Sequence, residues 1–212
     1  MKVVSVNVGP PREVVWKGIT VQTAIFKQPV AGAVAIRELN LAGDQQADLT
    51  VHGGSEKAVY AYPVEHYEHW RKQLSDVALS WGAFGENLTT AGLWEDKLCI
   101  GDLLRVGSAV LQVTQPRMPC YKLQLRFNRD DMIKRFLVSG RSGFYFSVIQ
   151  RGDVAAGSEV EILDRDSDGV TVSDIVRLYL GQTRDPELLQ RAMNVASLPQ
   201  NWRTQLLQRA QK

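Results

Sequence analysis

Short alternating or β-branched runs recur through the first 165 positions, at residues 3–8, 19–26, 33–39, 58–62, 103–106, 109–114, 143–149 and 159–163. Glycine, proline and aspartate separate them. Gly101-Asp102 and Val106-Gly107-Ser108 have hairpin chemistry, and Gly157-Ser158 opens the last run. Strands this short and this dense predict a barrel or folded sheet rather than a strand–helix alternation. Two helices are expected to interrupt them. One covers 63–74, with Pro63 in the first turn and Tyr67, Trp70 and Leu74 on its apolar face. The other covers 130–138, where Met132, Ile133, Phe136 and Leu137 form a stripe that Gly140 ends.

From about Val170 the apolar period lengthens from two to three or four. Thr171 with Asp174 forms a capping box, and Asp185-Pro186-Glu187 supplies an N-cap, a first-turn proline and an acidic first turn. Ser197 with Gln200 is expected to open a third helix carrying Trp202, Leu206 and Ala210. The chain therefore divides into a β-rich domain, 1–166, and a three-helix domain, 167–212. Such short helices cannot bury their apolar faces against one another alone, so the tail should pack on the sheet.

Composition narrows the class. The chain has 212 residues, 44% of them hydrophobic and 23% charged, with a net charge of +2. These values suit a globular protein with a real core and give no support for a general nucleic-acid binder. No apolar stretch approaches the ~18–20 residues of a membrane span. The N-terminal run is too short for a signal peptide and reads as a strand. Two cysteines make no disulfide framework, so a cytoplasmic location is expected.

The two cysteines differ in their neighbours. Cys120, in Gln115-Pro116-Arg117-Met118-Pro119-Cys120-Tyr121-Lys122, has two cations within three positions, which favours the thiolate over the ordinary thiol of pKa ~8.5. The flanking prolines place it on a stiff turn after a strand, as a nucleophile or a soft metal ligand, although a half-buried structural cysteine fits the same turn. Cys99, in Lys97-Leu98-Cys99-Ile100-Gly101-Asp102, lies in an apolar strand and reads as a core cysteine. Spacing leaves a Cys99–Cys120 disulfide open; the expected compartment argues against it.

Two further clusters stand out. Gly43-Asp44-Gln45-Gln46-Ala47-Asp48 precedes Val51-His52-Gly53-Gly54-Ser55-Glu56-Lys57, where paired glycines let backbone N–H groups approach a ligand and His52 can supply a proton. A hairpin turn with an incidental histidine is the alternative. Phe84-Gly85-Glu86-Asn87-Leu88 is either a ligand-facing loop or an Asx-type turn. His66 and His69, at i and i+3, have workable zinc spacing with Cys120 and His52, yet two histidines at the rim of the helix stripe are the commoner outcome. No Gly-x-Ser-x-Gly elbow supports a hydrolytic triad.

Taken together, Gly43-Asp44-x-x-Ala47-Asp48, His52-Gly53-Gly54, Phe84-Gly85-Glu86-Asn87-Leu88, Gly101-Asp102 and Gln115-Pro116-Arg117-x-Pro119-Cys120 resemble the MOSC domain family, and the three-helix tail resembles its YiiM-type branch. The resemblance implies a mostly β, α+β fold: a closed β-barrel with peripheral helices. It implies binding of the molybdenum cofactor, molybdopterin, with Cys120 as the metal's protein ligand, a role that suits a soft thiolate. Asp44, Gly53, Gly54, Lys57, Glu86, Asn87, Arg117 and Lys122 would bind the cofactor, Arg117, Lys122 and Lys57 offsetting its negative charge. His52 would join Cys120 in catalysis. The activity implied is reduction of small N-hydroxylated compounds such as 6-hydroxylaminopurine to amines.

Two cysteines are too few for an iron–sulfur cluster, and no flavin or nicotinamide fingerprint is present, so a separate protein is expected to donate electrons. Two rival readings are a non-catalytic carrier of cofactor or sulfur, and a nucleic-acid module in the tail. For the second, residues 171–212 carry six Arg/Lys against three Asp/Glu, but these cations are spread over all three helices. Docking of an electron donor explains the same charge.

Overall fold

The computed structural model of the chain describes residues 1–45 and 53–211. Twelve strands occupy the first part: β1 (Lys2–Val8), β2 (Arg12–Trp16), β3 (Ile19–Thr23), β4 (Gln28–Val30), β5 (Val34–Ile36), β6 (Val59–Pro63), β7 (Leu88–Ala91), β8 (Leu103–Val106), β9 (Ala109–Pro116), β10 (Phe144–Gln150), β11 (Gly152–Val154) and β12 (Val160–Asp164). A one-turn 3-10 helix, Ser55–Lys57, precedes β6. Helices α1 (His66–Gln73), α2 (Tyr121–Phe127) and α3 (Met132–Ser139) lie between strands, and α4 (Val172–Tyr179), α5 (Pro186–Asn194) and α6 (Gln200–Ala210) form the tail.

Eight strands make one sheet in the order β12-β8-β9-β10-β6-β7-β1-β4, and β2–β3 and β5–β11 form separate pairs. The expected closed barrel is not formed; the sheet wraps but stays open. The reason lies in how β1 divides its pairing. Val6–Val8 take β4, a three-residue edge strand containing Pro29. The other end of β1 meets the turn before β12 through the single bridge Lys2–Glu159, with Val3 N donating to Ser158 O at 2.9 Å. Most pairings are antiparallel, but β6 and β7 run parallel, and the segment bearing α1 makes the crossover between them.

Two apolar clusters fill the molecule. The larger runs from the inner face of the sheet (Val6, Leu88, Leu111, Phe146) into the tail (Ile175, Leu188, Trp202, Leu206) without interruption. The tail is thus packed on the sheet as expected, and each large side chain it buries contributes about 1.5–3 kcal/mol of transfer free energy. The smaller cluster is aromatic, joining Tyr60 and Tyr62 of β6 to Tyr67 and Trp70 of α1, Phe84, and Phe136 of α3. Tyr62 stacks on Phe84 with centroids 4.7 Å apart.

Capping chemistry is realised where two side chains satisfy it together. Thr171 and Asp174 complete a capping box on α4, and Asp185 accepts from Glu187 N and Leu188 N at the start of α5. Other boundaries moved. Pro63 ends β6 instead of opening α1, because it continues the parallel register opposite Thr90. Pro199, not Ser197, stands at the N-cap of α6. Cys99 is half-buried rather than a core residue, since its segment is a turn that makes only one bridge, to Thr171. The short strands β2, β4, β7 and β11 and the helix α2 were not expected. No helix among the described residues is long and apolar enough to cross a membrane.

Candidate active site

The site forms where β9 leaves the sheet. Thr114 Oγ1 donates to Glu56 O at 2.7 Å and Gln115 Nε2 to the same oxygen at 3.2 Å, which ties the one-turn helix and its Lys57 to the strand end. Arg117 N still reaches Gly143 O at 3.4 Å. Met118 and Pro119 then carry the chain out to Cys120, whose extended backbone (φ −127°, ψ 175°) directly precedes α2. Cys120 thereby lines a cavity of about 100 Å³ together with Lys27, Lys57, Arg117, Lys122, Asp44 and Tyr145. Neither cysteine forms a disulfide.

The cavity is cationic. Arg117 is only 6% exposed, lies over the rings of Tyr60 and Phe136 at 5.5 and 5.3 Å, and leaves Nη1 with no hydrogen-bond partner. Burial pulls its pKa down, but Tyr60, Tyr145 and Cys120 outweigh burial and the net shift is upward, so the charge is permanent. Lys27 is buried against Asp44, with Nζ 2.5 and 2.7 Å from the two carboxylate oxygens. Burial lowers the Lys27 pKa and Asp44 only partly restores it. Lys57 is likewise lowered by burial, with Glu56 opposing.

Asp44, the one acid among the described residues of the cavity wall, is already engaged. Asp44 accepts from Lys27, from Gly9 N at 3.0 Å and from Asn87 Nδ2 at 2.8 Å. Asn87 also accepts from Tyr60 N at 3.0 Å, so it joins the Asp44 loop to β6. Gly85, at φ 82°, brings that loop against Ile25, where a Cβ would lie 3.0 Å from the side chain. With Arg117, Lys57 and Lys122 on its wall, the cavity is suited to an anion.

Of the residues expected at a site, Cys120, Asp44, Lys57, Asn87, Arg117 and Lys122 meet at this cavity. Glu86 does not. Its carboxylate is fully buried on the other side of the loop, accepting from Gly82 N at 2.9 Å, Phe84 N at 3.1 Å, Thr89 Oγ1 at 2.9 Å and the Tyr67 hydroxyl. Glu86 organises the turn while Asn87 faces the cavity. Burial raises the Glu86 pKa against these bonds. Gly53 and Gly54 do not line the cavity either; Gly54, at φ 98°, accepts from Lys57 N at 3.1 Å and sets up the turn that carries Lys57. His52, Ala47 and Asp48 lie outside the described residues.

The zinc grouping is not assembled among the described residues. His66 is buried instead of rim-placed, with Nε2 2.8 Å from Glu95 Oε2, and Glu95 Oε1 accepts from Gly143 N at 2.7 Å. Sequence reasoning missed Lys27, Tyr60 and Tyr145. Lys27 had a signal: a lone cation after the apolar Ala24-Ile25-Phe26, which is rarely buried without a carboxylate partner.

A molybdenum–pterin group can be tested against these residues. The orphaned Nη1 of buried Arg117, the cations Lys57 and Lys122 beside it and a thiol on the wall fit its anionic groups and soft metal.

Comparison with known proteins finds relatives over most of the chain. The MOSC domain model matches residues 48–161, and the model described as YiiM-like, 3-alpha helix domain matches residues 170–212. Protein YiiM of Escherichia coli (strain K12) is 39% identical over 182 residues, 85% of this chain and 81% of that protein. A protein named Reductase from Gibberella moniliformis (strain M3125 / FGSC 7600) is 35% identical over 179 residues, 81% of this chain but 31% of its own length. The crystal structure of YiiM from Geobacillus stearothermophilus matches with a TM-score of 0.81 at 33% identity, covering 99% of this chain and 98% of that one.

Proposed function

This chain belongs to the MOSC domain family, and from that premise we propose that it is an oxidoreductase that holds a molybdenum–pterin cofactor through Cys120 and reduces N-hydroxylated compounds to amines. The observation that carries the reading is the buried, partly unpartnered Arg117 sharing one cavity with the Cys120 thiol. The Reductase relative adds weight to the redox class.

When bound, the cofactor would supply two electrons for N–O cleavage, so that R–NHOH, two electrons and two protons become R–NH2 and water. The chain's own residues bind and orient. Cys120 would ligate the metal, and Arg117, Lys57 and Lys122 would hold the anionic groups by charge-assisted hydrogen bonds. Asp44 is a positioning residue: by engaging Lys27 and Asn87 it fixes two walls of the cavity. Tyr60 donates to Ser142 O at 2.9 Å, and burial holds its pKa well above the ordinary tyrosine value, so it shapes the wall as a neutral group. Electrons would come from a separate, acidic protein docking near the exposed Arg177, Arg184 and Arg191 of the tail.

The test is molybdenum content and turnover together, on protein made in a host that synthesises the cofactor. The reading expects stoichiometric molybdenum and reduction of 6-hydroxylaminopurine with a chemical reductant. Molybdenum retained without turnover on any N-hydroxylated compound would identify a carrier instead, and no retained molybdenum would overturn both.

A further inference from the structure

Cys120 has a second open side. Lys57, Cys120 and Tyr145 line the cationic cavity and also a groove of about 230 Å³ between the strand end and the C-terminal helices. The two spaces differ in chemistry. The groove gains no cation beyond Lys57; its walls are the apolar Met118 and Pro119 facing Tyr179 and Trp202, with the amides of Asn201 and Gln205 along its edge.

The groove is a fixed structure. Trp202 is 4% exposed, and its Nε1 donates to Gln115 Oε1 at 2.7 Å. Gln115 in turn donates to Glu56 O, next to Lys57, so the tail's wall and the Lys57 wall are one hydrogen-bonded unit. Tyr179 sits edge-on to Trp202 with centroids 5.3 Å apart, and the Arg209 guanidinium lies 3.8 Å from its ring centroid. Two amides have capacity to spare. Asn201 uses Oδ1 to accept from Trp202 N at 2.9 Å, which leaves its NH2 group, and the Gln205 amide engages no other described residue.

Resting on the reductase reading above, we infer that this groove is the substrate subsite and that Asn201 and Gln205 of the C-terminal helices determine specificity there. A slot with flat apolar walls, little positive charge and amides at one edge suits an uncharged planar ring bearing ring nitrogens or exocyclic N–H groups. Its N-hydroxyl group would point to the Cys120 side. The anionic cofactor, by the same electrostatic argument, belongs on the face lined by Arg117. The tail is then part of the reaction site and not only a docking appendage.

Alkylation of Cys120 by iodoacetamide, followed by mass spectrometry on the cofactor-free full-length chain, reads occupancy without turnover. 6-Hydroxylaminopurine should slow alkylation at Cys120. The half-protecting concentration should rise about tenfold in the double variant Asn201→Ala/Gln205→Ala, as expected for two hydrogen bonds. Inorganic pyrophosphate should also protect, but its protection should follow Arg117→Ala and ignore the tail variant. In the loaded enzyme the double variant should raise KM about tenfold with molybdenum content and kcat close to the parent.

Protection by 6-hydroxylaminopurine that is absent, or that follows Arg117→Ala and ignores the tail, overturns the inference. So does a loss of molybdenum in the tail variant with unchanged KM, which would give the groove to the cofactor. The reductase reading is judged separately, by whether the loaded parent enzyme reduces the compound at all. Tail-dependent protection without turnover would leave the groove standing and remove the reductase.

Discussion

Cys120 and Cys99 are both half-buried, outside any disulfide and on turns beside a sheet, yet their surroundings have opposite sign. Cys120 shares its cavity with Arg117, Lys57 and Lys122. Cys99 is enclosed by backbone and acids: Cys99 N donates to Asp102 Oδ2 at 3.0 Å, and burial, then Asp102, push its thiol pKa up despite Arg165. Burial is similar in the two places, so exposure alone does not separate the two thiols. The sign of the neighbouring charge does.

The sharpest way to break this comparison is to exchange each thiol for a methyl group. Cys120→Ala should reduce turnover and molybdenum retention by at least about a hundredfold, since even residues that only support a metal ligand cost 10–100-fold when lost. Cys99→Ala should leave both near the parent values, because its side chain lies apart from the cavity. Equal losses in the two variants would erase the distinction.

A second test asks whether the positive cavity depends on its buried ion pair. Lys27→Met strands the Asp44 carboxylate at 4% side-chain exposure and should destabilise the fold by about 3–5 kcal/mol in urea denaturation. The double variant Lys27→Met/Asp44→Asn removes both charges and should recover most of that loss. Failure to recover would mean that Asp44 contributes mainly through Gly9 and Asn87.

Arg117→Ala sharpens the comparison at the level of binding. It removes a charge-assisted donor, and cofactor affinity should fall by about 1.5–3 kcal/mol, read as molybdenum retained after dialysis. Arg117→Lys should recover part of this, keeping the charge and losing the planar group over Tyr60 and Phe136.

The smallest effect concerns pH. The folded chain holds the Cys99 proton to a higher pH than the unfolded chain does, so its contribution to stability is complete below the ordinary thiol pKa and is lost as pH rises through the raised folded value. Alkylation of Cys99 should accordingly accelerate only above the ordinary thiol pKa of ~8.5. A Cys99 profile with its midpoint below that value would contradict the electrostatic reading of its site.

For the proposed donor surface, Arg203 is unsuited as a probe. Its guanidinium is tied to Val195 O and, at 3.1 Å, to Ala196 O, so it caps the tail's backbone. Charge reversal at Arg184, whose guanidinium caps no backbone among the described residues, should slow turnover with a protein donor at low salt and leave a small chemical reductant unaffected.

What the sequence determined by itself is local. Alternation placed β1, β8 and β12 within a residue or two, Thr171 and Asp185 capped the helices they were expected to cap, and Gly140 ended α3 in the left-handed conformation. These features depend on neighbours within a few positions, as does the cationic setting of Cys120. Tertiary structure decided the rest. Pairing across long separations joined Lys27 to Asp44 and Asp44 to Asn87, turned Glu86 away from the cavity while Asn87 faced it, and left the sheet open because the edge of β1 opposite β7 is divided between β4 and the turn before β12. It also set Trp202 of the last helix against Gln115, behind Cys120. Strand register and helix docking depend on the burial of the whole core, and no local pattern in the chain records which distant side chains that burial brings together.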